Sequence, residues 1–189
     1  GYPAVAEAWS GLWSNQLGLE FRNRPPRPPE VFVFHGGNQA LQASLIGVAE
    51  ARRNRAGTAA PATILVPLPT FSCPMDQIAL QGMQAYLLPP ADSGMDPGPE
   101  DIDTVPEGVD IDGIYAMPVT NPTGRTVEPT RLRAFIEAAL DRWPHAGIIL
   151  DSVYVRLHPR YDEILAWFED DPRFAESIIV IDSLSKSHG

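Results

Sequence analysis

Cysteine and lysine are almost missing from this 189-residue chain, which has one of each, Cys73 and Lys186. A lone cysteine excludes an internal disulfide, so a reducing cytoplasm is the default expectation. Cys73 itself reads as a small buried apolar side chain. Arginine supplies 13 of the 14 basic residues, so Lys186 is the single candidate for any chemistry that needs a primary side-chain amine. Long apolar runs are also lacking. None approaches the roughly 20 residues of a membrane helix, and the amphipathic stretch from Gly1 to Trp13 lacks the basic leader of a signal peptide. Positive charge is scarce as well. The net charge of −10 and a pI near 4.7 argue against nucleic acid or an anionic membrane as partner. They do not exclude a phosphate held by backbone dipoles.

The chain has the apolar content (44%) and length of one domain with a real core. It shows no internal repeat and no reason to be cut in two. It begins at Gly1 and its last residues continue a motif, so residues 1–189 read as one domain incomplete at both ends. Five short apolar runs, Val31–Phe34, Thr63–Val66, Gly113–Met117, Gly147–Leu150 and Ser177–Ile181, lack strict alternation, which is how strands buried on both faces read. Gln84–Leu88 is a weaker sixth. Helical stripes lie between them: Val5, Trp9, Leu12 and Trp13; Leu41, Leu45 and Val48; Leu132, Phe135, Ile136, Ala139 and Leu140; Ile164, Leu165 and Phe168. The alternation predicts an α/β fold, three layers with a mostly parallel central sheet. Arg24–Pro29 reads as a stiff extended connector. Pro89–Glu107, rich in Pro, Gly and Asp, reads as a surface excursion.

Small, polar or aromatic residues follow each of the five runs at once. His35-Gly36-Gly37-Asn38-Gln39 comes after the first and Pro67-Leu68-Pro69-Thr70-Phe71 after the second. Asn121-Pro122-Thr123-Gly124 follows the third closely, Asp151-Ser152-Val153-Tyr154 the fourth, and Asp182-Ser183-Leu184-Ser185-Lys186 the fifth. In a parallel sheet the strand C-termini share one edge, where open α/β folds bind ligands. Five such clusters describe a site.

Each cluster has a chemical use. Gly36-Gly37-Asn38 opens a helix and offers free N–H groups to a phosphate; alone it reads as a tight turn. Phe71 stacks on a flat ligand or belongs to the core. Asn121–Gly124 forms a turn that presents an amide to a planar heteroaromatic ring. Asp151 ends an apolar strand, where an unpaired carboxylate is costly, and a pyridinium nitrogen is one partner that satisfies it. Tyr154 is near enough in sequence to reach the same ring. Lys186 follows a strand and two serines. In a partly dry site such an amine loses its proton readily and attacks an aldehyde, whereas a lone loop lysine is usually a solvated charge.

Together these residues resemble the class I/II aminotransferases of fold type I, enzymes that use pyridoxal 5'-phosphate (PLP). Gly1–Val5 is similar to the segment before the family's first large-domain helix. Gly36–Leu41 resembles its phosphate-cup helix start, and Pro69-Thr70-Phe71 its aromatic stacking turn. Asn121-Pro122-Thr123-Gly124 and Ser183-Leu184-Ser185-Lys186 match its two most specific motifs. The resemblance implies a PLP-binding large domain in which Lys186 forms a Schiff base with the cofactor and then moves a proton. It implies that Asp151 pairs with the ring nitrogen, that Asn121 and Tyr154 bind the phenolic oxygen, and that Phe71 stacks. Gly36, Gly37, Asn38 and Ser183 would hold the phosphate. Phe71 stands where the family commonly has Tyr, and Ser152 where it usually has Glu. The phosphate-binding arginine, the substrate-carboxylate arginine and a partner-donated tyrosine are not in this chain. The implied reaction is transfer of an amino group from an amino acid to a 2-oxo acid, in a homodimer, with no metal. Other PLP reactions on amino acids (lyase, decarboxylase, cyclase or oxidase), or the effector domain of a transcriptional regulator, are the alternatives.

Overall fold

The computed structural model describes residues 4–8, 31–57, 60–91, 94–160, 163–164 and 171–186. Within them the aliphatic runs build one five-stranded sheet, because the side chains of a fully buried strand find apolar partners on both faces. Its strands are β1 (Thr63–Pro67), β2 (Gln84–Leu88), β3 (Gly113–Ala116), β4 (Gly147–Asp151) and β5 (Ile178–Ile181). Their spatial order is β2-β1-β3-β4-β5, and every neighbouring pair is parallel. The helices are α1 (Gly37–Ala56), α2 (Ser72–Leu80), α3 (Pro99–Asp103), α4 (Pro129–Arg142) and α5 (Pro172–Ser177).

Alternate strand residues feed two cores, which makes three layers. Ile64, Val66, Tyr115 and Ile149 pack with Leu41, Leu45 and Val48 of α1 and Ile78 of α2. Leu65, Ile114, Ile148 and Leu150 face Leu132, Phe135 and Ile136 of α4, Ile102 of α3 and Phe174 of α5. Helix starts are fixed locally. Pro129 and Pro172 occupy first-turn positions, which need no N–H donor. The side chains of Glu128 and Asp171 accept the N–H groups of Arg131 at 3.1 Å and Arg173 at 2.9 Å.

At the N-terminal edge of the sheet, buried Asp112 ties α1 to two strands. It accepts from Arg52 Nη1 at 2.7 Å, Arg55 Nη2 at 2.7 Å and the Thr63 N–H at 2.9 Å. Asp110, Asp112 and His145 bring possible metal-ligand atoms within 4.8 Å of one another. The two arginines already neutralise those carboxylates, so the cluster works as an ionic clamp.

Some expectations need correction. Val31–Phe34 forms no strand; Phe32 is 73% exposed. An apolar run becomes a strand only where a neighbour takes its backbone groups, and among the described residues none pairs with it. The weaker run Gln84–Leu88 is a strand because β1 offers it five register partners. Pro89–Glu107 is less superficial than its composition suggests. It contains α3, where buried Asp101 accepts the N–H groups of Ala91 at 2.5 Å and Gly98 at 2.7 Å, and Ile102 and Val105 enter the core. Of the first helical stripe, Val5 lies exposed in a helical stretch at 4–8, while Trp9, Leu12 and Trp13 fall outside the described residues. Arg24–Pro29, Leu165 and Phe168 do so too; Ile164 is buried.

Candidate active site

The parallel sheet carries Pro67, Ala116, Asp151 and Ile181 to one edge, and the loops after β1, β3, β4 and β5 leave from there. Most of the chemically distinctive residues arrive by this route. The Gly36-Gly37-Asn38 cluster reaches the same edge differently, since no strand precedes it. It opens α1, which packs on this face of the sheet. Gly36 has φ 104° and ψ 168°, a combination open essentially to glycine alone. At Gly37 a Cβ would stand 3.2 Å from Val153 Cγ1 and 3.9 Å from Ile181 Cγ2. A side chain at Gly37 would crowd Val153 in the loop after β4, so the glycine lets α1 begin close against that loop. No side chain caps its first turn, which leaves those N–H groups to a ligand or to solvent.

Asp151 is the least comfortable group of the site. It is 7% exposed at the end of β4. Tyr115 Oη donates to its Oδ2 at 2.5 Å, and the Val153 N–H donates to its Oδ1 at 3.3 Å. Burial pushes its pKa above the ordinary carboxylate value, against the pull of these two hydrogen bonds. No cation pairs with it among the described residues. Burial and the adjoining Asp151 charge push the Tyr115 phenol up in turn, so its proton stays on the oxygen and Tyr115 is the donor.

Lys186 is exposed and its Nζ lies over the Tyr154 ring, 5.5 Å from the centroid. The partly dry setting expected for this lysine is not formed among the described residues. Phe71 caps the start of α2 and is half-buried against the core with Ala40 and Val153. The Asn121–Gly124 turn is closed by the Gly124 N–H to Thr120 O at 2.8 Å and the Thr120 N–H to Arg125 O at 2.8 Å. The half-buried Asn121 is held at its tip, and among the described residues no hydrogen bond joins its side chain to the other candidates. Ser183 Oγ is engaged within its own turn, with Ser185 Oγ at 2.7 Å.

Three features escaped the sequence reading. Tyr115 supports Asp151; the signal was a phenol inside an otherwise aliphatic strand, since a buried Tyr O–H usually finds an acceptor. Arg156 pairs with Asp182 at 2.8 Å and ties the loop after β4 to the end of β5; nothing in the spacing announced it. Cys73 is half-buried instead of fully buried. Its Sγ donates to Asn38 Oδ1 at 3.4 Å, and the Gln77 amide reaches Asn38 O at 3.1 Å. These contacts tie the start of α2 to the start of α1. No helix among the described residues is long and apolar enough to cross a membrane.

No family model and no curated protein sequence matches the chain. Solved structures do. The aspartate aminotransferase from Rhizobium meliloti matches with a TM-score of 0.76 at 17% identity, over 98% of this chain and 43% of its own. The N-succinyldiaminopimelate aminotransferase from Mycobacterium tuberculosis gives 0.73 at 21% identity, over 98% and 44%. An Escherichia coli protein with a methionine aminotransferase function gives 0.73 at 16%, over 99% and 45%. The chain spans less than half the length of each. Identities this low speak for the fold, and the fold this chain shares is that of the aminotransferases.

Proposed function

We propose that this chain is the PLP-binding part of an aminotransferase that moves an amino group from an amino acid to a 2-oxo acid, with Lys186 as the point of covalent attachment. The observation that carries the reading is the buried carboxylate of Asp151, with no cation beside it among the described residues, on the same sheet edge as the chain's single lysine. Such a carboxylate is expensive alone, and a protonated pyridine nitrogen supplies the charge it lacks. The glycine start of α1 fits the phosphate of the same cofactor, because its N–H groups are uncapped and its backbone is bare. The fold shared with the Rhizobium meliloti aspartate aminotransferase supports the same assignment.

PLP supplies an electron-withdrawing ring conjugated to its link with the lysine. The protein's own residues do the rest. Asp151 would pair with the ring nitrogen and favour its protonated form. Gly36, Gly37 and Asn38 would hold the phosphate through backbone N–H groups, and Ser183 would contribute to the same site. Phe71 offers a ring face, and Asn121 and Tyr154 offer donors to the phenolic oxygen. Lys186 Nζ would be the group that carries the cofactor and, when free, the amine that holds and returns a proton. Binding of the amino acid and 2-oxo acid, and pairing of two subunits, belong to the whole protein, for which the same reading expects a homodimer.

The test is incubation of the full-length protein, loaded with PLP, with single amino acids, followed by chromatography of the cofactor. Accumulation of pyridoxamine phosphate, reversed by 2-oxo acids, is the expected result. Ammonia or carbon dioxide without pyridoxamine phosphate would assign the site to a lyase or decarboxylase instead.

A further inference from the structure

We propose that Tyr115 is a positioning residue for Asp151: its phenol holds one carboxylate oxygen so that the other is presented to a cationic ring nitrogen. The inference rests on the cofactor reading above and names a residue that no motif of the site contains.

The geometry is specific. Tyr115 lies opposite Ile149 in the β3–β4 register, and Asp151 is two residues further along on the same face of the sheet. The Tyr115 side chain therefore runs up that face toward the C-terminal edge, where its Oη meets Asp151 Oδ2 at 2.5 Å. Tyr115 is 1% exposed and packs in the core that also contains Ile64, Met117 and Ile149, so the phenol has no water to turn to. Among the described residues the second oxygen, Oδ1, receives only the Val153 N–H, at a long 3.3 Å, and keeps acceptor capacity for a ligand. One oxygen is clamped from beneath and the other is left to the site.

The chemistry follows from which form of the carboxyl the phenol favours. A donor stabilises the anion, and Tyr115 stays protonated beside it, because burial and the Asp151 charge both oppose its ionisation. Tyr115 thus counters the desolvation that drives Asp151 toward its neutral form. Without it Asp151 would protonate more easily and would be a poorer partner for a ring N–H⁺.

The experiment uses the full-length protein in two variants. Tyr115→Phe deletes the donor. Replacement of Tyr115 by 3,5-difluorotyrosine keeps the ring and strengthens the donor, and so covers the case in which Tyr115→Phe does not fold. Two readouts are taken: the carboxyl-carbon NMR titration of Asp151 without cofactor, identified by its loss in Asp151→Asn, and the ¹⁵N shift of the ring nitrogen in bound, labelled PLP. The expected result is a roughly tenfold gain in Asp151 proton affinity in Tyr115→Phe, a shift of opposite sign in the fluorinated protein, and a Tyr115→Phe ring-nitrogen signal moved toward the unprotonated position. A purely structural tyrosine would lower the melting temperature and leave the ring-nitrogen signal in place, which overturns the proposal. An Asp151 midpoint that neither variant moves also overturns it, whether or not cofactor binds. A wild-type protein that takes up no PLP removes the cofactor reading instead, and with it any role for Tyr115 toward the ring.

Discussion

Replacing Asp151 by Asn separates a functional carboxylate from a structural one, because the two roles predict opposite signs. Asn is nearly the same size. Its single oxygen can still accept the Tyr115 hydroxyl, the shorter of the two hydrogen bonds, and gives up the long one from Val153, so the packing of a 7%-exposed position is kept. The charge is removed, with one weak hydrogen bond. In the cofactor-free protein that charge is a burden, since burial raises the Asp151 pKa above its ordinary 3.8. A carboxyl whose folded pKa is raised favours the fold fully below its unfolded pKa and loses that contribution as pH rises through the folded value. At neutral pH the cofactor-free Asp151→Asn protein should therefore melt at the same temperature as wild type or higher, with the difference vanishing in acid. Toward PLP the sign reverses. A hydrogen bond to a charged group contributes about 1.5–3 kcal/mol, so losing the charged partner of the ring nitrogen should weaken PLP binding roughly 10- to 150-fold. Melting curves at several pH values and equilibrium dialysis of PLP, on the full-length protein, measure both. A lower melting temperature with unchanged PLP affinity would refute the reasoning and make Asp151 a structural residue.

Three further substitutions probe other parts of the structure. Gly36→Ala forces a side chain onto a backbone with φ 104°; it should cost roughly 1–3 kcal/mol at the start of α1 and weaken PLP binding, and unfolding in urea with a PLP titration would report both. Asp112→Ala leaves the Thr63 N–H without its side-chain acceptor and Arg52 and Arg55 with Asp110 as the carboxylate that remains. Its expected cost is about 1–3 kcal/mol, with PLP affinity intact because the clamp sits at the opposite edge; a loss of affinity at full stability would contradict that separation. Phe135→Ala empties a fully buried position beside Leu132 and Ile136 and should lower stability by about 3–5 kcal/mol, read from the urea midpoint.

The layers and the site edge were legible because their signals are local. Ile64–Val66 and Ile148–Leu150 are aliphatic without alternation, and only burial on both faces explains that. The α4 stripe from Leu132 to Leu140 kept helical period throughout and is buried as expected. Edges were not legible, because pairing is a property of two segments. Val31–Phe34 has the better strand composition yet lacks a partner among the described residues, whereas Gln84–Leu88, with its mixed burial, is held by the backbone of β1. The candidate site divides in the same way. Asp151, Tyr154 and Lys186 were named by their places after strands. Tyr115 is 36 residues from Asp151, and Arg156 meets Asp182 across 26. Such contacts depend on which strands become neighbours, and no spacing rule carries that.

The most direct test of the account is chemical. The full-length protein would be loaded with PLP, its visible absorbance recorded, the complex reduced with borohydride, and the fixed pyridoxyl group located by peptide mass. The account predicts one label, on Lys186, and none in Lys186→Ala. Absence of the absorbance band, or a label on another residue, would contradict it and leave the aminotransferase likeness as one of fold alone.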